Sequence, residues 1–598
     1  MNKFRIPGYI ALFSSLCFSL ASFAVAADVS LLAFPLSFIF SLITSYFLFV
    51  KILVKKDSSA LKVCIKLLQY IPYVLLVAFI LRRAGKNATS YLYDVFTVIL
   101  WCLVFISTNI VLFYLNEKRV YSVFPEWKKN AEKKGKSFLV KPELSTRSVI
   151  REAFDWIDAL VQAVFMVLLI QIFILQLYVI PSESMVPSFL IGDRVVVTKT
   201  ASGPKFPLSD VGVPCLKKYS RGDVVVFRNP HYSMDRKSEV RSVVSQIIYM
   251  LTFTKLNLNV DEHGEPKADP LVKRVCGVPG EQLVMQDGIL YARTVAGDEF
   301  KPVSADAKFA CWNLAAYERK LPVKFIPMPQ EYYENMLDFE ERRRALNLSN
   351  AADECRTIAK SMKVLLARSA GEKTFAAPES LNVSYLFSDC FQNVSYLIDS
   401  GDKDGWFEKF MCDWLDSDVM RTVLLSSASK KASETGEYSY KDLFDGDLYA
   451  EANFKLNIMA KIAFGRLYLF AAESMCRGKN IEINDSRFSE LSKKASEICW
   501  YVSILDQRNM PLFPKNSHDG LPSYIPENCY FMMGDNRFNS LDMRHSYEAK
   551  LVPVTPKDSY SVQYLSDMDP QYVHRNRILG TAMYRFWPLS RAGAVRTK

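Results

Sequence analysis

The sequence predicts a multi-pass membrane protein in which N-terminal transmembrane α-helices precede a mainly-β domain, itself interrupted by a large, mostly α-helical insertion. Three observations carry this reading. Half of the 598 residues are hydrophobic although 23% are charged, and the apolar excess sits in the first third of the chain. From Gly192 the pattern changes to short β-branched runs punctuated by glycine. From about 300 to 515 glycine becomes sparse and apolar residues recur at helical spacing.

Apolar runs at 7–27, 29–50, 67–81, 94–115 and 157–180 are read as five spans, the third being the shortest. Residues 1–152 thus form a membrane region with four spans and basic loops, and 153–180 carries the fifth. Asn2 to Arg5, an apolar stretch and Ala24-Val25-Ala26-Ala27 also fit a cleaved secretory signal, but the second span follows so closely that an uncleaved helix is the better reading. Basic residues set the orientation. Lys51, Lys55, Lys56, Lys62 and Lys66 crowd one link and 116–152 carries ten Lys/Arg, so both links are expected in the cytoplasm. Arg82, Arg83 and Lys86, placed outside by this scheme, are a mild violation. Everything from about 181 onward is then expected on the outer, periplasmic side.

The net charge of +11 is partly this topogenic loop beside anionic lipid, so it does not argue for nucleic acid. Nine of the twelve cysteines lie beyond 181, scattered and without a C-x-x-C pair. That argues against a zinc ribbon and leaves disulfides unassigned, with at least one thiol free or paired between chains.

The first β part, 181–299, contains runs at Asp193–Thr198, Asp223–Phe227, Leu271–Val275, Gln282–Met285 and Ile289–Arg293, with a hairpin signal at Asp287-Gly288. The stretch 300–515 shows helical periodicity at Tyr332–Leu348, Ala351–Arg368, Trp406–Leu425 and Leu448–Met475. The second β part, 516–598, holds Tyr530–Met533 and Ile578–Trp587. The two β parts are expected to pack together. Val243–Val260 reads as core strands, with a hairpin dipping into the bilayer surface as the alternative.

Three polar segments point to one chemistry. Pro181-Ser182-Glu183-Ser184-Met185-Val186-Pro187 is a proline-bounded turn where the last span ends. Leu271 to Gly280 is a strand entering a Pro-Gly turn, in which Lys273 can face inward with Val272 and Arg274 outward. Gly534 to Arg544 is a dense polar loop after an apolar strand. A serine hydroxyl needs a base to become a nucleophile. A lysine can serve where burial lowers its pKa, with Met185, Phe189 and Val272 as apolar neighbours and Ser540 aiming the amine.

Taken together, in this order and behind a span, these segments resemble the boxes of bacterial type I signal peptidases, membrane-bound Ser/Lys proteases that remove signal peptides from exported proteins. The likeness covers about 180–230, 271–292 and 526–587, including Arg221-Gly222-Asp223, Lys273-Arg274, Gly277-x-Pro279-Gly280 and Gly534-Asp535-Asn536-Arg537. It implies Ser184 as nucleophile, Lys273 as general base and Ser540 as the group that orients the lysine. It also implies an oxyanion hole from Ser182 and the Ser184 N–H, and a structural ion pair of Asp542 and Arg544, with Arg274 and Asp535 structural beside it. Ile180, Met185, Phe189 and Val272 would line shallow pockets for small substrate residues, so that cleavage follows Ala-x-Ala-like sequences. No cofactor or metal is expected. Expected partners are secretory precursors, the lipid bilayer and, nearby, the export translocon.

Glu183 and Met543 depart from residues frequent in the family, glycine and serine respectively. Five histidines without G-x-S-x-G or H-E-x-x-H leave a Ser-His-Asp or zinc protease without its signature. His545 is read as a surface or structural residue. The competing expectation is a polytopic scaffold or transporter with an inactive peptidase-like domain, which largely uninterrupted spans do not favour. Self-cleaving repressors with Ser/Lys chemistry are soluble, unlike this chain.

Overall fold

The computed structural model describes residues 2–24, 32–85, 89–116, 119–127, 146–232, 235–252, 256, 258–260, 267–314, 328–367, 380–422, 444, 446–478 and 485–595. Helices α1 (Asn2–Ala24), α2 (Ala33–Ser45, continued by a π-helix over Tyr46–Val54), α3 (Leu61–Arg83), α4 (Tyr91–Leu115) and α5 (Thr146–Phe173) come first. Among the described residues five helices are long and apolar enough to cross a membrane, at Phe4–Phe23, Ala33–Val54, Ser58–Arg83, Tyr91–Leu115 and Glu152–Phe173. The third is the longest of them at 26 residues, not the shortest, because the helix runs on through the charged ends that bound its apolar centre. The first four pack on one another, and Trp101 on α4 donates to the Pro72 carbonyl on α3 at 2.8 Å. α5 leans on α3, with Tyr70 donating to Asp158 at 2.6 Å and Tyr73 stacked on Phe165, but it is the least covered: 6% of its most apolar stretch is buried, against 33–50% in the others.

The expected fifth span is too long at its end. Its helix stops at Phe173, and strand β1 (Leu175–Val179) follows, paired antiparallel with β2 (Arg194–Thr198). The run is apolar throughout, which masks the switch from helical to alternating period at Leu175, Leu177 and Val179. Lys199 closes the helix, its N–H on the Ile174 carbonyl and its Nζ on that of Gln171.

Strands β3 (Val224–Phe227), β4 (Leu271–Gly277), β5 (Glu281–Gln286), β6 (Ile289–Thr294) and β7 (Gly297–Pro302) complete the first β part. In the β5–β6 hairpin both Asp287 and Gly288 have positive φ, as a two-residue primed turn requires. The expectation at Val243–Val260 fails: Arg236–Leu251 is a helix, α6, in which Val240, Val243, Val244 and Ile247 recur at helical spacing and form a stripe.

Between β7 and β8 (Met510–Phe513) the longer elements are α7 (Gln330–Arg344), α8 (Leu348–Leu366), α9 (Cys390–Ser400), α10 (Trp406–Cys412), α11 (Leu448–Cys476) and α12 (Ser486–Ser503). They share a core around Trp414, Phe410 and Tyr468, which also takes in Val554, Val562 and Tyr564. The last two belong to, or adjoin, the hairpin of β10 (His545–Pro553) and β11 (Gln563–Met568). Arg508 pairs with Glu340 at 2.8 Å and Arg343 pairs with Asp287, all four side chains buried, so salt bridges tie the helices to the β5–β6 turn.

The remaining strands are β9 (Cys529–Met533), β12 (Val573–His574), β13 (Ile578–Trp587) and β14 (Gly593–Ala594). The main sheet runs β1-β2-β13-β3-β4-β9-β12, with β14 on β13, and a second runs β7-β6-β5-β8. Strands from the two ends of the chain therefore alternate: β13 lies between β2 and β3, and β9 beside β4. This interleaving brings the segments around 184, 273 and 540 to one place.

Candidate active site

The turn after β1 is held from both sides. Val186 N–H donates to the Glu183 carbonyl at 3.0 Å and Phe189 N–H to that of Met185 at 2.9 Å. Asn536 grips the turn twice, its N–H on the Ser184 carbonyl and its Nδ2 on the Glu183 carbonyl, both at 3.1 Å. The hydroxyls of Ser182 and Ser184 lie 3.4 Å apart, Ser182 exposed and Ser184 half-buried.

Lys273 is 3% exposed. In the register Val225 stands opposite it on β3, and continuing the β4–β9 pairs Val275↔Met532 and Arg274↔Met533 by one residue puts Gly534 opposite it on the other side. Residues directly opposite in antiparallel strands project to the same face. A Cβ at Gly534 would come within 2.1 Å of Ser540 Oγ and 2.5 Å of the Ser184 carbonyl oxygen. Lys273 therefore projects to the face that carries Ser540 and the Ser184 turn, and glycine at 534 leaves the room. Val272 points the other way, into a cluster with Ile180, Met185 and Phe189. The apolar residues beside Lys273 on its own face are Val225 and Val275, in place of the expected Val272.

Burial lowers the Lys273 ammonium to about 8; Asp542 pulls it back up, and Arg544 presses it further down. Asp542 has little charge to spare for it. Its carboxylate accepts from Arg544 Nε at 2.8 Å and Nη2 at 3.0 Å, from Gly534 N–H at 2.8 Å and from Ser540 Oγ at 2.9 Å. Burial alone would raise its pKa, but Arg544 holds it well below the usual carboxylate range. Ser540 must then be the donor in its bond to Asp542, which leaves the hydroxyl oxygen free to accept from an amine. Arg544 is itself aimed by the Gln507 carbonyl at 2.8 Å.

Arg274 does not face outward as expected. It is buried, with Nε and Nη2 each 2.7 Å from an Asp535 oxygen, Nη1 on the Gly222 carbonyl and Phe309 stacked 3.7 Å from its guanidinium carbon. The sheet is covered on that face too, so alternation along β4 separates two buried environments. Ser188 donates to the same aspartate. Arg537 pairs with buried Asp306, and Cys311 exchanges backbone hydrogen bonds with Asp535 and Arg537. Residues 304–312, inside the stretch read as helical, thus brace the polar loop.

Glu183 is buried at the base of the turn. Met543 is 1% exposed and lies in the sheet's apolar core, which accounts for an apolar residue between Asp542 and Arg544. His545 is buried with Nδ1 2.9 Å from Asp567, a structural place. Sequence reasoning missed Asn536 and Gly534 as shapers of the site. Both stand in the quoted Gly-Asp-Asn-Arg segment, but only the strand register tells what they touch.

The model of the family described as signal peptidase, peptidase S26, matches residues 153–323 and 475–587, the two stretches that supply every one of these side chains. Signal peptidase I of Haemophilus influenzae is 26% identical over 180 residues, 30% of this chain and 49% of that protein. Signal peptidase I of Pseudomonas aeruginosa is 32% identical over 123 residues, 21% and 42% of the two chains. Over these two stretches the chain is similar to the type I signal peptidases. It spans about half the length, or less, of these curated relatives. Two parts of the chain lie outside the matched stretches: the spans before 153 and the helices between 323 and 475. Among the described cysteines, all twelve of the chain, none is in a disulfide.

Proposed function

We propose that this protein is an endopeptidase that removes signal peptides from exported precursors at the outer face of the bacterial cytoplasmic membrane. The observation that carries the reading is the meeting of a half-buried serine turn with a buried lysine across Gly534, where the lysine has no carboxylate of its own. Neutral Lys273 takes the proton of Ser184, whose oxygen attacks the scissile carbonyl. The proton then passes from Lys273 to the leaving amine, and a water activated by the same amine releases the acyl group. Ser540 accepts an amine N–H and so directs the lone pair at Ser184. Ser182 Oγ and the Ser184 N–H stabilise the oxyanion. The cluster of Ile180, Met185, Phe189 and Val272 supports the pockets for small side chains, which fits cleavage after Ala-x-Ala-like sequences. The bilayer, secretory precursors and the neighbouring translocon are its partners.

The test is cleavage of a synthetic Ala-x-Ala precursor by the purified full-length protein and by Ser184→Ala. Only one hydroxyl is lost, so the variant should stay folded while the rate falls by at least about 10³-fold. Retention of more than a few per cent of the wild-type rate would make Ser184 something other than the nucleophile. An unprocessed precursor with both proteins would favour the scaffold reading.

A further inference from the structure

A cavity of about 390 Å³ lies away from the Ser184 turn, where α3, α4 and α5 end beneath α6 and the loop 203–210. It is of ligand size. One wall is apolar, formed by Ile80 and Ile172 of the spans with Val243 and Ile247 of α6. The other is polar and firmly built. Arg236 ties α6 to the Leu208 carbonyl at 3.2 Å and to the Arg83 carbonyl, and Ser209 donates to Asp94 at 2.5 Å.

The charges at the polar wall do not balance. Asp94 is committed to Arg83, Thr89 and Ser209, and Lys205 and Asp210 pair with each other at 2.7 Å. Glu239 is shared by Arg236 at 3.1 Å and Arg228 at 3.8 Å, and Asp269 by Arg228, Lys267 and Arg577. Among the described residues Lys199 Nζ has only neutral acceptors, the Gln171 carbonyl at 3.0 Å and Gln176 Oε1 at 3.1 Å. Burial and the neighbouring Arg228 lower its ammonium to about 8. Arg236 Nε is buried with no hydrogen-bond partner among the described residues. Five cations, Lys199, Arg228, Arg236, Lys267 and Arg577, thus face two shared carboxylates, and the two lining the cavity with the least compensation, Lys199 and Arg228, repel each other.

We infer that this cavity holds an anionic phospholipid, its phosphate between Lys199 and Arg228 and its acyl chains along the apolar wall. A phosphate supplies the missing negative charge and acceptors for both cations. The chains account for the apolar half, and for the little-buried α5, whose surface next to the cavity is left for lipid. A free phosphate would satisfy the charge but not the apolar wall. The occupant belongs to the ends of three spans, at the depth where headgroups lie. No lining residue belongs to the Ser184–Lys273 site, so the inference stands whether or not the proposed cleavage is observed.

The test is lipid titration of the full-length protein in a mild detergent, read as bound lipid by native mass spectrometry and as Tm. Phosphatidylglycerol should bind and raise Tm, phosphatidylcholine should do so far less, and inorganic phosphate should leave Tm unchanged. Lys199→Gln/Arg228→Gln should bind phosphatidylglycerol about 30-fold more weakly, and Lys199→Arg should keep the preference. If the double variant does not fold, Lys199→Gln alone carries the test, with about a fivefold loss. Equal binding of the two lipids, or an unchanged preference in the Gln variants, would overturn the inference. A full Tm rise with inorganic phosphate would assign the site to free phosphate and overturn the lipid.

Discussion

Among the described residues three lysines are buried, Lys273 in the sheet and Lys455 and Lys461 on α11, and Lys273 and Lys461 are treated differently. Lys461 on α11 is 0% exposed and meets Asp558 at 2.6 Å, with the Phe410 carbonyl as a second acceptor and Asn457 holding the same carboxylate. Lys273 is as deeply buried, but the carboxylate nearest in its electrostatics, Asp542, is already taken by Arg544, Ser540 and Gly534. One lysine is matched by a partner of its own and serves packing. The other is buried beside a serine turn with its charge unmatched, which is what a general base at moderate pH requires. The difference between structural and reactive burial lies in who owns the neighbouring acid.

That contrast can be broken from the helical side first. Lys461→Ala should cost about 3–5 kcal/mol of stability, because it strands Asp558 in the core. Lys461→Met with Asp558→Leu should recover most of it. Thermal unfolding followed by circular dichroism checks this, and a single variant as stable as wild type would mean that the pair is not a matched one. At the site the cost should appear in rate. Ser182→Ala should lower kcat by about 10²-fold or more with little change in KM, as loss of an oxyanion donor does. A raised KM at constant kcat would make Ser182 a binding residue. Gly534→Ala sharpens the geometry: its methyl must displace Ser540 or the Ser184 turn, and a shift of about 1 Å should cost about 10²-fold. An unchanged rate in a folded Gly534→Ala protein would show that Lys273 does not approach the serine over this glycine.

Much of this was legible in the sequence, for identifiable reasons. Apolar runs of bilayer length announced five long helices, and β-branched runs between glycines announced β2 to β6. The polar segments around Ser184, Lys273 and Ser540 could be named because each is unusual in its surroundings. What stayed hidden depends on pairing. The strand at Leu175–Val179 is as apolar as the helix before it, and only β2 opposite it makes it a strand. Helix α6 is rich in Val and Ile, which read as strand, yet no neighbour strand pairs with it and the stripe wins. The face on which Lys273 lies, its neighbour Val225 and the need for glycine at 534 follow from register across strands far apart in the chain, which local pattern cannot supply. The brace from Asp306, Cys311 and Gln507 likewise comes from the margins of a stretch whose own period is helical.

The central claim is that Lys273 works as a neutral amine, and the pH dependence of kcat/KM measures it directly. Burial favours the neutral form and lowers the ammonium from 10.5 to about 8, so the rate should rise with pH as the proton leaves and level off above that value. Folded and unfolded states then differ in protonation between about 8 and 10.5, where the unfolded chain binds the extra proton, so this lysine's burial penalty fades and stability gains as pH rises through that window. Lys273→Arg keeps a positive charge that cannot be given up. The account predicts a wild-type limb near pH 8 and a folded Lys273→Arg protein as inactive as Lys273→Ala at every pH. Substantial cleavage by Lys273→Arg, or a wild-type rate flat across pH 7 to 9, would contradict it.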